Sequence, residues 1–126
     1  MTFPLFLLMI SAGGVGACVR FVLDETIRSR NPEPPFPIST ALINLSGCFV
    51  LGFLTGLVVS RLASEDVRAV VGSGFVGGYT TFSMASFETV QLIREMRYVA
   101  AVAYAFGILA GGVALALLGF VWGKSL

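Results

Sequence analysis

Between Val67 and Ile93 this chain carries enough apolar residues to cross a bilayer, yet its centre is built from poor helix formers. Glycine occupies positions 72, 74, 77 and 78, and Gly78 leads directly into Tyr79-Thr80-Thr81-Phe82-Ser83. Glycine in a helix interior is less favourable than alanine by about 1 kcal/mol, so the run predicts a broken helix. A break inside hydrocarbon frees backbone N–H and C=O groups that protein, water or an ion must then satisfy. Broken helices of this kind present carbonyls and half-helix ends to ions.

Composition sets the setting for that break. Of 126 residues, 56% are hydrophobic and 12% charged, and the mean hydropathy is +0.92. A soluble domain has roughly 25% charged residues, so the chain reads as one integral membrane domain over residues 1–126. The net charge of +1 and the lack of a basic run exclude nucleic acid as a partner. There is no histidine, which argues against His-ligated metals and His-based catalysis. No general base is paired with a nucleophile, so the chain is not expected to be an enzyme. Cys18 and Cys48 both lie in apolar stretches and read as small buried hydrophobes. The N-terminus lacks the charged start of a signal peptide, and its apolar run continues to Leu23, which predicts a retained helix.

Four segments reach the roughly 20 apolar residues that a spanning helix needs. They run from about Phe3 to Leu23, Pro37 to Ser60, Val67 to Ile93 and Tyr98 to Trp122. The fold class is therefore all-α, with four transmembrane helices and the third broken at mid-membrane. Pro4 suits a first helical turn, and Tyr98 and Trp122 suit the interfaces. Asp24 to Phe36 contains Pro32, Pro34 and Pro35 and reads as a stiff, non-helical link. Ser64 can cap the third helix, with Glu65 and Asp66 suiting its positive end.

Orientation in a membrane follows Lys/Arg asymmetry, and here it is nearly absent. Arg61, Arg68 and Lys124 lie on one side; Arg28, Arg30, Arg94 and Arg97 lie on the other. Either the chain inserts both ways up, or one residue or a partner decides. Glycine pairs at helix-contact spacing (Gly52 with Gly56, Gly107 with Gly111, Gly119 with Gly123) favour tight packing within a dimer. An antiparallel two-fold dimer is the natural product of dual insertion.

A few residues are costly in lipid. Arg20 is either an arginine snorkelling to the interface or a cation at the mouth of an anion vestibule. Thr40 and Asn44 share a helix face at i, i+4. Asn44 can donate to an anion or join helices. Glu88 is a site candidate because a buried carboxylate needs a partner; the plain alternative is a hydrogen bond to a neighbouring hydroxyl. Phe75 and Phe82 flank the break, and an aromatic ring edge carries partial positive charge. Tyr104 adds a phenolic donor.

Four pieces together resemble the CrcB/Fluc family of fluoride channels over essentially the whole chain. They are Gly16-Ala17-Cys18-Val19-Arg20-Phe21, Thr40-Ala41-Leu42-Ile43-Asn44-Leu45-Ser46-Gly47, Gly74 to Ser83, and Ser86-Phe87-Glu88-Thr89. The third is very specific; the first is weak alone. The resemblance implies a dual-topology antiparallel homodimer with two fluoride pores in a bacterial inner membrane. It also implies a structural Na⁺ at the dimer centre on the main-chain carbonyls of Gly77 and Thr80. Pore positions would include Asn44, Phe82, Ser83 and Tyr104, with Thr40 and Glu88 as a polar pair on the path and Arg20 at the vestibule. The implied function is passive export of toxic cytoplasmic fluoride.

The chain also departs from the family pattern. Met84 and Ala85 stand where members usually carry a second Thr-Phe, so one pore phenylalanine is missing. Ile108 and Gly112 stand where hydroxyl residues usually follow the tyrosine position. A second reading is therefore a pore-degenerate subunit that acts with a paralogous one. A third, a small multidrug-type proton antiporter, requires a carboxylate in the first helix, and Met1 to Leu23 contains none.

Overall fold

The computed structural model describes residues 2–30 and 37–126. In chain order the elements are α1 (Phe3–Arg30), α2 (Ile38–Val59), α3 (Glu65–Val67), a π-helical segment (Arg68–Val76), α4 (Gly77–Tyr79), α5 (Phe82–Arg94) and α6 (Tyr98–Ser125). The described residues contain no strand. Among the described residues three helices, α1, α2 and α6, are long and apolar enough to cross a membrane. At about 1.5 Å per residue, the 22 residues of α2 span about 33 Å, close to a hydrocarbon core of about 30 Å. The 28 residues each of α1 and α6 reach about 42 Å, so both helices outrun such a core.

That excess corrects the expected link. The first helix does not end at Leu23 but continues through Arg30. Asp24 and Arg28, one turn apart, pair at 2.8 Å on its added turns and support the helix there. Pro32, Pro34 and Pro35 lie outside the described residues.

The glycine run also behaves differently from expectation. Gly72 to Gly78 stays helical, first as π-helix and then as α4. The extended residues are Thr80 (φ −84°, ψ 161°) and Thr81 (φ −149°, ψ 116°), which lie between Phe75 and Phe82. The glycines serve packing instead. A Cβ at Gly78 would strike the Gly13 carbonyl, and one at Gly16 would strike the Phe75 carbonyl. Backbone of α1 therefore lies directly on backbone of the π-helical segment and α4.

A second close approach joins α2 to α6, the most extensive helix contact in the chain. Gly52 lies against the Ala116 carbonyl, and Gly119 against that of Phe49. Gly52, Gly56, Gly119 and Gly123 are buried between two helices of the same chain. Their expected role in packing a dimer is thus taken by contact within the chain. Gly107, by contrast, has no neighbour within 4 Å of where a Cβ would stand.

Helix ends follow known chemistry. Ser64 Oγ accepts the Val67 N–H at 3.2 Å and starts α3. Arg61 (φ 65°) and Met96 (φ 59°) turn the chain in the left-handed region after α2 and α5, a place usually given to glycine. Cys18 is exposed rather than buried, and Cys48 is half-buried. The interior is small and mixed. Ile43, Val76, Leu92, Ala101 and Tyr104 are buried together with Ser39, Thr40, Asn44 and Glu88. Lipid gives apolar side chains no reason to turn inward, so a membrane protein can reserve its interior for polar contacts.

Candidate functional site

The site begins at the two extended threonines. Thr81 Oγ1 accepts the Met84 N–H at 3.2 Å and caps α5. The Thr81 backbone is held from α2: Asn44 Nδ2 donates to the Thr81 carbonyl at 2.9 Å, and the Thr81 N–H donates to Asn44 Oδ1 at 2.8 Å. Of the two sequence readings for Asn44, joining of helices is thereby realised, and one amide N–H lies outside this pair.

These bonds strip two carbonyls of their usual donors. In an unbroken helix the Thr81 N–H would go to the Gly77 carbonyl and the Met84 N–H to that of Thr80. Here they go to Asn44 and to the Thr81 hydroxyl. Between them, the Gly78 carbonyl accepts from Arg20 Nε at 3.3 Å. A cation at the carbonyl end of a short helix is the favourable polarity. Phe82 and Ser83 form the first turn of α5. Phe82 is 86% exposed in the single chain, and the Ser83 hydroxyl lies 3.3 Å from that of Thr81. Phe75 instead stacks on Tyr79, with ring centroids 6.0 Å apart.

A second polar group lies where α1, α2 and α5 meet. Thr40 Oγ1 donates to Glu88 Oε1 at 2.5 Å. Arg28 Nη2 donates to the same oxygen at 3.1 Å. Arg28 Nε turns to Asp24 Oδ1 at 2.8 Å, and Ser39 Oγ donates to that same Asp24 oxygen at 2.5 Å. Glu88 is 8% exposed, and its other oxygen is buried as well. Tyr104, 1% exposed, sits within electrostatic reach of Glu88 and Thr40.

Open space flanks this pair on two sides. One cavity of about 330 Å³ is lined by Arg20, Asp24, Thr40 and Thr81. Across the bundle, a groove of about 220 Å³ is lined by Asn44, Phe82, Ala85, Tyr104 and Ile108. An adjoining one of about 400 Å³ adds Gly47, Cys48, Thr80 and Gly112. Thr40, Glu88 and Tyr104 are thus brought together; Asn44, Phe82 and Ser83 gather at the interruption; Arg20 shares the first cavity with Thr40 and Thr81. The family departures Ala85, Ile108 and Gly112 all line the grooves beside Asn44 and Phe82.

Sequence reasoning missed Asp24, Arg28 and Ser39. The i, i+4 spacing of Asp24 and Arg28 was the available signal, hidden by ending the helix at Leu23. Thr81 was also missed as the residue that Asn44 grips.

Membrane-length helices around an interior of paired polar side chains define a multi-pass membrane protein. Residues 7–120 match the model of the family described as CrcB-like protein, Camphor Resistance (CrcB). The chain is 46% identical to "Fluoride-specific ion channel FluC 1" of Leifsonia xyli subsp. xyli over 107 residues, 84% of this chain and 77% of the relative. It is 40% identical to "Fluoride-specific ion channel FluC 2" of Moorella thermoacetica over 120 residues, 94% and 97% of the two chains. It is also 40% identical to "Fluoride-specific ion channel FluC 3" of Bifidobacterium longum over 121 residues, 96% and 99%. The chain belongs to the CrcB/FluC family, whose relatives carry the names of channels rather than enzymes.

Proposed function

We propose that this chain is one subunit of a fluoride-specific channel that lets cytoplasmic fluoride leave a bacterial cell passively through the inner membrane. Two copies associate antiparallel, a topology supported by the near-even split of Lys and Arg between the two sides. The observation that carries the reading is the Asn44-gripped interruption at Thr80–Thr81, taken with the names of the relatives.

Fluoride is small and strongly hydrated, so a path must offer donors in place of water. Asn44, Ser83 and Tyr104 donate; Phe82 presents a ring edge; Thr40 and Glu88 form the polar pair along the way; Arg20 attracts the anion at the vestibule. The carbonyls of Gly77 and Thr80, with their helical donors diverted, fit a structural Na⁺. They are hard oxygen ligands without charge, and the Gly78 carbonyl between them is already taken by Arg20. Na⁺ there would hold the interruptions of two copies together.

Fluoride efflux from liposomes containing the purified protein tests the proposal, with chloride as the comparison. Fluoride leaves and chloride is retained if it is right. Efflux no faster than from empty vesicles, with the protein folded, refutes the homodimeric channel. A second reading, a subunit completed by a paralogous partner, is favoured by Ala85, Ile108 and Gly112 on the groove walls. It predicts flux only after reconstitution with that partner, and a gain in the lone protein on Ala85→Phe.

A further inference from the structure

The Glu88 carboxylate poses a problem for any anion that passes Thr40 and Tyr104: it is buried and negative. We propose that Arg28, a residue outside the expected pore set, is a positioning residue that fixes Glu88 and cancels its charge at this point of the path. The inference rests on the channel reading above. Three elements converge to make the arrangement. The added turns of α1 carry Arg28, the first turn of α2 carries Thr40, and α5 carries Glu88. Arg28 uses two N–H groups of one planar guanidinium, with Nε on Asp24 and Nη2 on Glu88, so the guanidinium is held at two points. A planar fork does this where a lysine ammonium acts as a single point charge. Ser39 in turn fixes Asp24.

The charges in direct contact here are Asp24 and Glu88 against Arg28; Arg20 lines the same cavity as Asp24 and Thr40 but donates to the Gly78 carbonyl. Without Arg28 neither carboxylate keeps its ion-pair partner. The charge of Arg28 itself is screened by water, but a Glu88 carboxylate released from it to stand about 10 Å from the anion, at an effective dielectric near 20, would disfavour that anion about tenfold. The Arg28 side chain keeps 42% of its surface exposed, so its replacement opens no core cavity.

The test is a cycle of four proteins in liposomes: wild type, Arg28→Gln, Glu88→Gln and the double variant. Arg28→Gln is expected to slow fluoride efflux about tenfold in the wild-type background. In the Glu88→Gln background the same change is expected to cost less than about threefold, because the side chain released at position 88 then carries no charge. Arg28→Lys is expected to recover only part of the loss, since it keeps the charge but not the fork. An equal cost in both backgrounds, or no cost, overturns the proposal. If the wild-type protein passes no fluoride, the channel reading fails instead. The hold of Arg28 on Glu88 is then read from thermal unfolding of the same four proteins. Arg28→Gln must lower the melting temperature more beside Glu88 than in the Glu88→Gln background; equal shifts overturn it.

Discussion

Replacing Asn44 by alanine tests the grip on the interruption most directly. The side chain is 8% exposed and makes two hydrogen bonds, both to the backbone of Thr81. Deletion leaves one N–H and one C=O without these partners. Each unsatisfied buried group costs about 1–3 kcal/mol in a soluble protein. Hydrogen bonds between membrane helices are worth less, about 0.6–2 kcal/mol each, because the unfolded chain in lipid also finds partners. Two bonds at about 1 kcal/mol apiece give a loss of about 2 kcal/mol, a factor of about 30 in the equilibrium. Two measurements check this in detergent micelles. Equilibrium unfolding should shift by that amount, and the Thr81 amide should exchange its hydrogen faster than the amides within α2. Asn44→Asp keeps an acceptor for the Thr81 N–H and should protect that amide better than Asn44→Ala. An Asn44→Ala protein with unchanged stability and a still-protected Thr81 amide would refute the reasoning. The bent chain would then be held by its own dihedral preferences and not by α2.

Other expectations follow from close approaches and backbone angles. Gly16→Ala places a methyl against the Phe75 carbonyl and should destabilise the protein by about 2 kcal/mol in thermal unfolding, whereas Gly14→Ala, inside α1 with nothing within 4 Å, should not destabilise it and should add up to about 1 kcal/mol. Met96→Gly relieves a left-handed residue (φ 59°) at the end of α5 and should add up to about 1 kcal/mol in the same assay.

Much of the helical plan was legible because the bilayer allows few alternatives: a run of about 20 apolar residues between polar ends is a helix or nothing. Start signals were equally plain at Ser64, which caps as its residue type suggests. The end of α1 was not legible. Three prolines four to seven residues beyond Arg28 pulled the expected boundary inward, yet Asp24 and Arg28 support one another and keep the chain helical. The glycine run misled for a different reason. Propensity counts what glycine costs a helix in isolation, whereas Gly16 and Gly78 gain a backbone-to-backbone contact that no larger residue permits. Tertiary contact outweighed propensity at the glycines, and the extended residues are Thr80 and Thr81, still between Phe75 and Phe82. Asn44, Thr40, Glu88 and Tyr104 could be singled out because polar side chains are conspicuous in apolar helices. Which of them touch one another could not be read, since it depends on how α2, α5 and α6 are rotated about their axes.

The divided third segment bears on how the chain is made. At 13 residues, α5 covers only about 20 Å, less than a bilayer's interior, and it carries Glu88. Neither half of this segment can settle in lipid by itself. It leaves the ribosome after α2, whose Thr40 and Asn44 receive it, but before α6, which brings Tyr104 to Glu88. During biosynthesis the segment therefore waits for the last helix before its carboxylate is fully enclosed, and the C-terminal span acts as the door that closes behind it.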